Sequence, residues 1–221
     1  ADGEEVTITE ITNYPFDETI QFTIETTQKT SFPFHLRIPE WCENYSLTIN
    51  GREVSAHPEN NIVVLNREWN AGDLVNLNLG MDFRYSNWYE NSLGIERGPL
   101  VYALKIIEEW REITKKEYDD TYFEVYPKSP WNYAILRSEI ENNNLQVEKK
   151  ENVAVYPWNL ENAPISVKVK AQRLPNWKIE YASAGDIPVR PENWNVTTPV
   201  EEVELVPYGC TTLRISQFPV R

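Results

Sequence analysis

Two cysteines, two histidines and one methionine are all that 221 residues provide of the side chains that most often ligate metals or act as sulfur or imidazole catalysts. Cys42 and Cys210 are far apart in the chain and lack the short C-x-x-C spacing of zinc or redox motifs. Free buried thiols are favoured over a single disulfide between them, because free cysteine packs like a small apolar residue. A Ser-His-Asp arrangement needs an imidazole base, and only His35 and His57 could supply it. His35 alternates with Phe34 and Leu36 on the polar side of a strand, and His57 precedes Pro58 in a turn-rich stretch. No G-x-S-x-G elbow accompanies either. Both read as surface residues.

Positive charge is also short. Lys and Arg number 21 against 34 Asp and Glu, a net charge of −13. Phosphate backbones demand neutralising cations, so nucleic acid is excluded as a partner. No apolar run approaches the roughly 18 residues of a membrane-spanning helix, and no membrane partner is expected. The chain begins Ala1-Asp2-Gly3 without a leader pattern, a start that suits a fragment or a processed product.

What is present is apolar alternation and aromatic mass. Apolar residues make up 41% of the chain and are spread along its whole length, enough to offset the entropy of ordering. Ile20, Phe22 and Ile24 alternate with polar residues, as do Phe34, Leu36 and Ile38, then Tyr45, Leu47 and Ile49. Val75, Leu77 and Leu79 repeat the pattern, and so do Ile165, Val167 and Val169. A period of two buries one face of each strand and wets the other, which predicts an all-β fold of antiparallel sheets stacked as sandwiches. Asn50-Gly51 predicts a type I′ hairpin, and Ala71-Gly72-Asp73 a turn before the next strand. Ile106, Trp110 and Ile113 have helical spacing, leading into Lys115, Lys116 and Glu117. A connecting loop after the strand Leu100 to Leu104 is nevertheless preferred there.

The texture loosens after Trp110. That break predicts two antiparallel, jelly-roll-like sandwiches, the second (110–199) inserted into the first (1–109 plus 200–221).

Specific strings add a family resemblance. Phe32-Pro33-Phe34-His35-Leu36-Arg37-Ile38-Pro39-Glu40-Trp41-Cys42, Ile49-Asn50-Gly51 and Leu65-Asn66-Arg67-Glu68-Trp69 stand ahead of Gly72-Asp73. Arg97-Gly98-Pro99-Leu100-Val101-Tyr102-Ala103 and Trp131-Asn132-Tyr133-Ala134 follow. Leu205-Val206-Pro207-Tyr208-Gly209-Cys210-Thr211 and Leu213-Arg214 close the series. In order and spacing these strings resemble the C-terminal β-sandwich region of glycoside hydrolase family 127, the β-L-arabinofuranosidases and their relatives. The resemblance implies that the chemistry lies upstream, in an (α/α)₆ barrel with a cysteine nucleophile, zinc held by further cysteines and a glutamate, and a separate acid/base carboxylate. None of those positions has a counterpart here, so no catalytic residue, metal or cofactor is assigned to this chain. The expected partner is the missing barrel of the same polypeptide, with a second copy of the chain or a plant-type glycan as further candidates. The sugar connection points to a periplasmic or secreted bacterial protein.

Two carboxylates on one face could hydrolyse a glycosidic bond. Glu108-Glu109, Asp119-Asp120 and Glu201-Glu202 are the available pairs, but neighbours in a strand point to opposite faces. Exposed aromatics are the better candidates. Tyr85, Trp88 and Tyr89 stand among Asn87, Glu90 and Asn91, and could contact the barrel or stack on a sugar ring; the barrel interface is favoured. Trp131, Tyr133, Trp158, Trp177 and Trp194 read first as core. Two roles in different classes follow: a structural module that supports a catalytic barrel, and an independent carbohydrate-binding module.

Overall fold

The computed structural model describes residues 1, 3–115, 120–190 and 193–221. It is almost wholly β and divides into two compact units, Ala1–Asp82 and Phe83–Arg221.

The first unit contains β1 (Val6–Thr12), β2 (Thr19–Thr26), β3 (Thr30–Arg37), β4 (Tyr45–Ile49), β5 (Arg52–Glu53), β6 (Ile62–Trp69) and β7 (Asp73–Leu79). Five strands form one antiparallel sheet in the order β1-β2-β7-β4-β5, and β3 pairs with β6 in a second layer. The alternation read from the sequence decides which side chains meet between the layers. Leu47, Val75 and Leu77 face Leu36, Val63 and Leu65 in a single core, while His35 points outward. Trp69 is fully buried at its centre, stacked on Phe32 and edge-on to Phe34. Its indole N–H donates to the Phe32 carbonyl at 3.0 Å, so the largest core residue leaves no buried donor unmet. The expected hairpin is there: Asn50 and Gly51 both have positive φ, at 51° and 76°, between β4 and β5.

The second unit contains β8 (Phe83–Asn87), β9 (Leu93–Arg97), β10 (Leu100–Leu104), β11 (Glu108–Lys115), β12 (Asp120–Pro127) and β13 (Tyr133–Ile135). A one-turn helix α1 (Arg137–Glu141) leads to β14 (Gln146–Lys149), β15 (Ile165–Arg173), β16 (Ile179–Glu180), β17 (Ser183–Ala184) and β18 (Val200–Pro207). Seven of these strands form one sheet, ordered β13-β15-β18-β10-β9-β8 with β14 also on β15. Two-stranded ribbons, β11-β12 and β16-β17, stand outside it. Trp177 is buried with Ala134 and Leu174, and Trp131 and Trp194 pack around them from irregular segments. Trp131, Trp177, Trp194 and the buried Tyr133 pack in the core, the reading favoured from the sequence.

One expectation differs from the observed strands. The segment around Trp110 is neither loop nor helix but strand β11, paired with β12 over its length; the i, i+4, i+7 spacing is incidental to a strand. Residues 116–119 between them, including Lys116, Glu117 and Asp119, lie outside the described residues. Positions 110 and 199, between which an inserted sandwich is expected, both lie in the second unit, where β10 and β15 pair with β18. The change of texture near Trp110 coincides with the departure of the chain into the β11-β12 ribbon.

Candidate functional site

The turn between β8 and β9 carries the first aromatic candidates. Strand parity separates them: Arg84, Ser86 and Trp88 share one side, whereas Tyr85 points to the other. Trp88 and Tyr89 are 56% and 66% exposed, but Tyr85 is half-buried, and its hydroxyl donates to Asn143 Oδ1 at 3.2 Å. The three residues do not form one platform.

Trp88 is held by a polar relay. Its indole N–H donates to Ser86 Oγ at 2.9 Å, Ser86 donates to Glu96 Oε1 at 2.9 Å, and Arg84 pairs with Glu96 Oε2 at 3.1 Å. Gly94 lies beneath: a Cβ there would come within 2.6 Å of Ser86 Oγ and 3.2 Å of the indole nitrogen. Glu90 and Asn91 close the turn with positive φ, at 53° and 56°. Asn91 tolerates that conformation better than Glu90, which makes the turn a point of backbone strain. A depression of about 330 Å³ lies between this turn and α1, lined by Asn87, Glu90, Asn91, Arg137 and Glu141.

A second and larger concavity was not visible in the sequence. An open cleft of about 830 Å³ is bounded by the start of β11, the loop 156–161 before β15, and the segment 209–214 after β18. Trp110, Tyr156 and Trp158 line it and are 54%, 64% and 37% exposed. Trp158, expected in the core, is therefore a surface residue.

The cleft is built around the Glu108 carboxylate. Glu108 Oε1 accepts from the Thr212 N–H at 2.6 Å, the Leu213 N–H at 2.8 Å and the Thr211 hydroxyl at 3.1 Å. Oε2 accepts from the Trp110 indole at 3.1 Å, which fixes the ring two residues along the same strand face. Burial alone pushes this carboxyl up, but the Leu213, Thr212, Thr211 and Trp110 donors outweigh it and hold the group below the usual carboxylate range.

The same contacts settle where the adjacent carboxylates go. Glu109 points away from Glu108 and is clasped by the Arg111 guanidinium at 3.1 and 3.2 Å. Glu201 accepts from the Tyr133 hydroxyl at 2.9 Å, while Glu202 lies on the Lys168 side of its strand, at 3.9 Å. Neither pair converges on a common point. The Asp119-Asp120 pair involves a residue outside those described. His35 and His57 are both exposed, in separate strand and loop settings. Among the described residues, no group of three or more His, Cys, Asp or Glu side chains could hold a metal ion. Both thiols are free and buried: Cys42 donates to the Asn44 carbonyl, Cys210 to that of Pro157.

Residues 1–81 match a family model described as the β-L-arabinofuranosidase, GH127 middle domain. A GH127 β-L-arabinofuranosidase from Geobacillus stearothermophilus T6 superposes on the whole of this chain with a TM-score of 0.63 at 23% identity. The GH127 β-arabinofuranosidase BT3674 covers 100% of it with a TM-score of 0.64 at 18% identity. A further glycoside hydrolase covers 97%, with a TM-score of 0.62 at 22% identity. At these identities the likeness is one of fold. This chain spans about a third of each of those proteins (31%, 32% and 32%). No curated protein is detectably similar in sequence.

Proposed function

We propose that this chain is a non-catalytic β-sandwich region of a GH127-like glycoside hydrolase, and that it supports a helical catalytic barrel preceding it in a longer polypeptide. One observation carries the reading: the match of residues 1–81 to a domain described as lying in the middle of such enzymes. The superposition over the entire chain, against only about a third of the related proteins, fits the same role. The divergent carboxylates agree with it chemically. Hydrolysis by two carboxyl groups needs them about 5–10 Å apart across one cleft, whereas Glu108 is occupied by the protein's own amides and Glu109 by Arg111.

Under this proposal Trp88 and Tyr89 contact the barrel. Such an arrangement explains why a strained turn is braced to present two large side chains outward. The test compares the pure chain with a longer parent polypeptide on an aryl β-L-arabinofuranoside. Activity of the parent and none from this chain is expected. Turnover by the chain itself, at a rate within about tenfold of the parent, would end the proposal.

A further inference from the structure

The turn at Trp88 and Tyr89 is one aromatic surface. The cleft at Trp110, Tyr156 and Trp158 is another, and its chemistry differs. We propose that this second cleft binds an uncharged oligosaccharide, with Trp158 and Trp110 as stacking faces and Asn159 and Glu161 as hydrogen-bonding groups for ring hydroxyls. This goes beyond the supporting role and does not depend on it.

The argument begins with preorganisation. A sugar gains most from an aromatic ring that is already held in place, because no side-chain freedom is then lost on binding. Both tryptophans are fixed. The Trp110 indole donates to Glu108, itself anchored by two backbone amides, and the ring meets Phe123 edge-on at 6.0 Å. Trp158 lies against the backbone at Gly209, where a Cβ would approach its Cε3 to 2.9 Å. Glycine at 209 is what lets that indole come so close to the backbone. Both rings keep a third to a half of their surface exposed, despite the large apolar area that each could bury.

The polar lining argues for a neutral ligand. Formal charges balance, with Lys105 and Arg214 against Glu108 and Glu161. Both cations are engaged by the protein. Lys105 Nζ meets Glu204 Oε2 at 2.7 Å. Arg214 Nε donates to the carbonyls of Tyr208 and Thr211, and its guanidinium lies 4.5 Å over the Tyr208 ring. Both cations thus already have partners within the protein. Asn159 Oδ1 accepts from the Asn162 amide at 2.7 Å, which orients the side chain and leaves its NH₂ as a donor. The Glu161 carboxylate can accept two hydroxyls of a diol. Aromatic faces beside one amide donor and one carboxylate acceptor are a recognition set for sugars: apolar C–H faces stack, and hydroxyls bond at the rim.

The test is titration of the chain with linear arabino-, xylo- and gluco-oligosaccharides of about six units, followed by calorimetry and tryptophan fluorescence. At least one series is expected to bind with Kd between about 10 µM and 5 mM, a range usual for shallow sites. Tyr156→Ala removes an exposed ring without touching the core and should weaken binding at least about fivefold. Trp158→Ala should weaken it at least about tenfold. Trp88→Ala, in the other aromatic surface, should leave Kd unchanged. No heat or fluorescence change from any series up to about 20 mM would overturn the proposal. So would binding that survives both cleft variants. In a longer parent polypeptide, Trp110 and Trp158 should stay reactive to hydroxyl-radical footprinting and become protected only when sugar is added; protection without sugar would mean that protein fills the cleft.

Discussion

Glu108 Oε1 and the Leu213 amide nitrogen lie 2.8 Å apart across 105 residues of sequence. The contact ties the first residue of β11 to the segment that follows β18. A single carboxylate thus holds together two of the three walls of the cleft.

Its protonation should therefore be visible in stability. The folded-state pKa of Glu108 lies below its ordinary value because the amide, hydroxyl and indole donors overcome the opposing effect of burial. A depressed pKa stabilises the fold above the unfolded value of about 4.3, and that contribution is lost as pH falls through the lower folded value. Glu108→Gln should cost about 1 kcal/mol at pH 7, less than the roughly 1.5–3 kcal/mol of a charged hydrogen bond because the group is only half-buried. Urea midpoints measured from pH 3 to pH 7 should show a shallower acid decline in the variant. An unchanged decline would mean that the contact contributes nothing.

Asp73 plays a comparable part in the first unit. It is 5% exposed, and it accepts from Asn50 Nδ2 at 2.8 Å and from the Asn70 N–H at 2.9 Å. Asn50 Oδ1 in turn accepts from the Leu74 N–H, which joins the hairpin tip to β7. Burial pushes the Asp73 carboxyl up, but these donors and the nearby Arg67 bring it below its usual value. Asp73→Asn would set an NH₂ against one of the two donors. A loss of about 1–3 kcal/mol at pH 7 is expected in urea unfolding, shrinking as pH falls below the unfolded value of about 3.9 and through the lower folded one.

Trp69→Ala tests the core between the two layers of the first unit. The substitution removes a fully buried ring, its stack on Phe32 and the donor to the Phe32 carbonyl. A cost of about 3–5 kcal/mol is expected. Trp69→Phe keeps most of the volume but removes the indole donor to that carbonyl, and should cost less, about 1–2 kcal/mol. Thermal unfolding followed by near-ultraviolet dichroism would separate the two.

The thiols should be inert in the native protein. Burial pushes Cys210 up to about 11 against the opposing charge of Lys150, and burial likewise raises Cys42 despite hydrogen bonds to the Asn44 and Gly80 backbone. Thiolate is the reactive form. Ellman's reagent at pH 8 should label neither cysteine within minutes in buffer, and both in urea.

Much of the fold was legible because alternation survives wherever one strand face is buried. Leu47, Ile49, Val75, Leu77, Leu79, Val167 and Val169 are all buried as their spacing required. The hairpin at Asn50-Gly51 was equally plain, since few other dipeptides accept two positive φ values. β11 was missed because it belongs to a two-stranded ribbon exposed on both faces, where no apolar alternation is needed. The cleft was missed for a different reason. Its walls come from residues about fifty and a hundred positions apart, and Gly209, which decides where Trp158 lies, has no signature beyond the lack of a side chain. Trp158 carried the same composition signal as the buried Trp177; only the backbone opposite distinguishes them.

β1 forms the outer margin of the five-stranded sheet, and every residue from Thr7 to Ile11 on it is exposed. One side of its backbone thus presents unpaired N–H and C=O groups, a template onto which another chain could add by β-strand pairing. Glu10 within the strand, with Glu4 and Glu5 just before it, repels a second copy that would align there. Replacing those carboxylates would remove the barrier while leaving Ile8 and Ile11 outward. Self-association of this acidic protein is thereby linked to one strand's margin as well as to its net charge, and Glu10→Ala should make it more prone to fibrous association at pH 7.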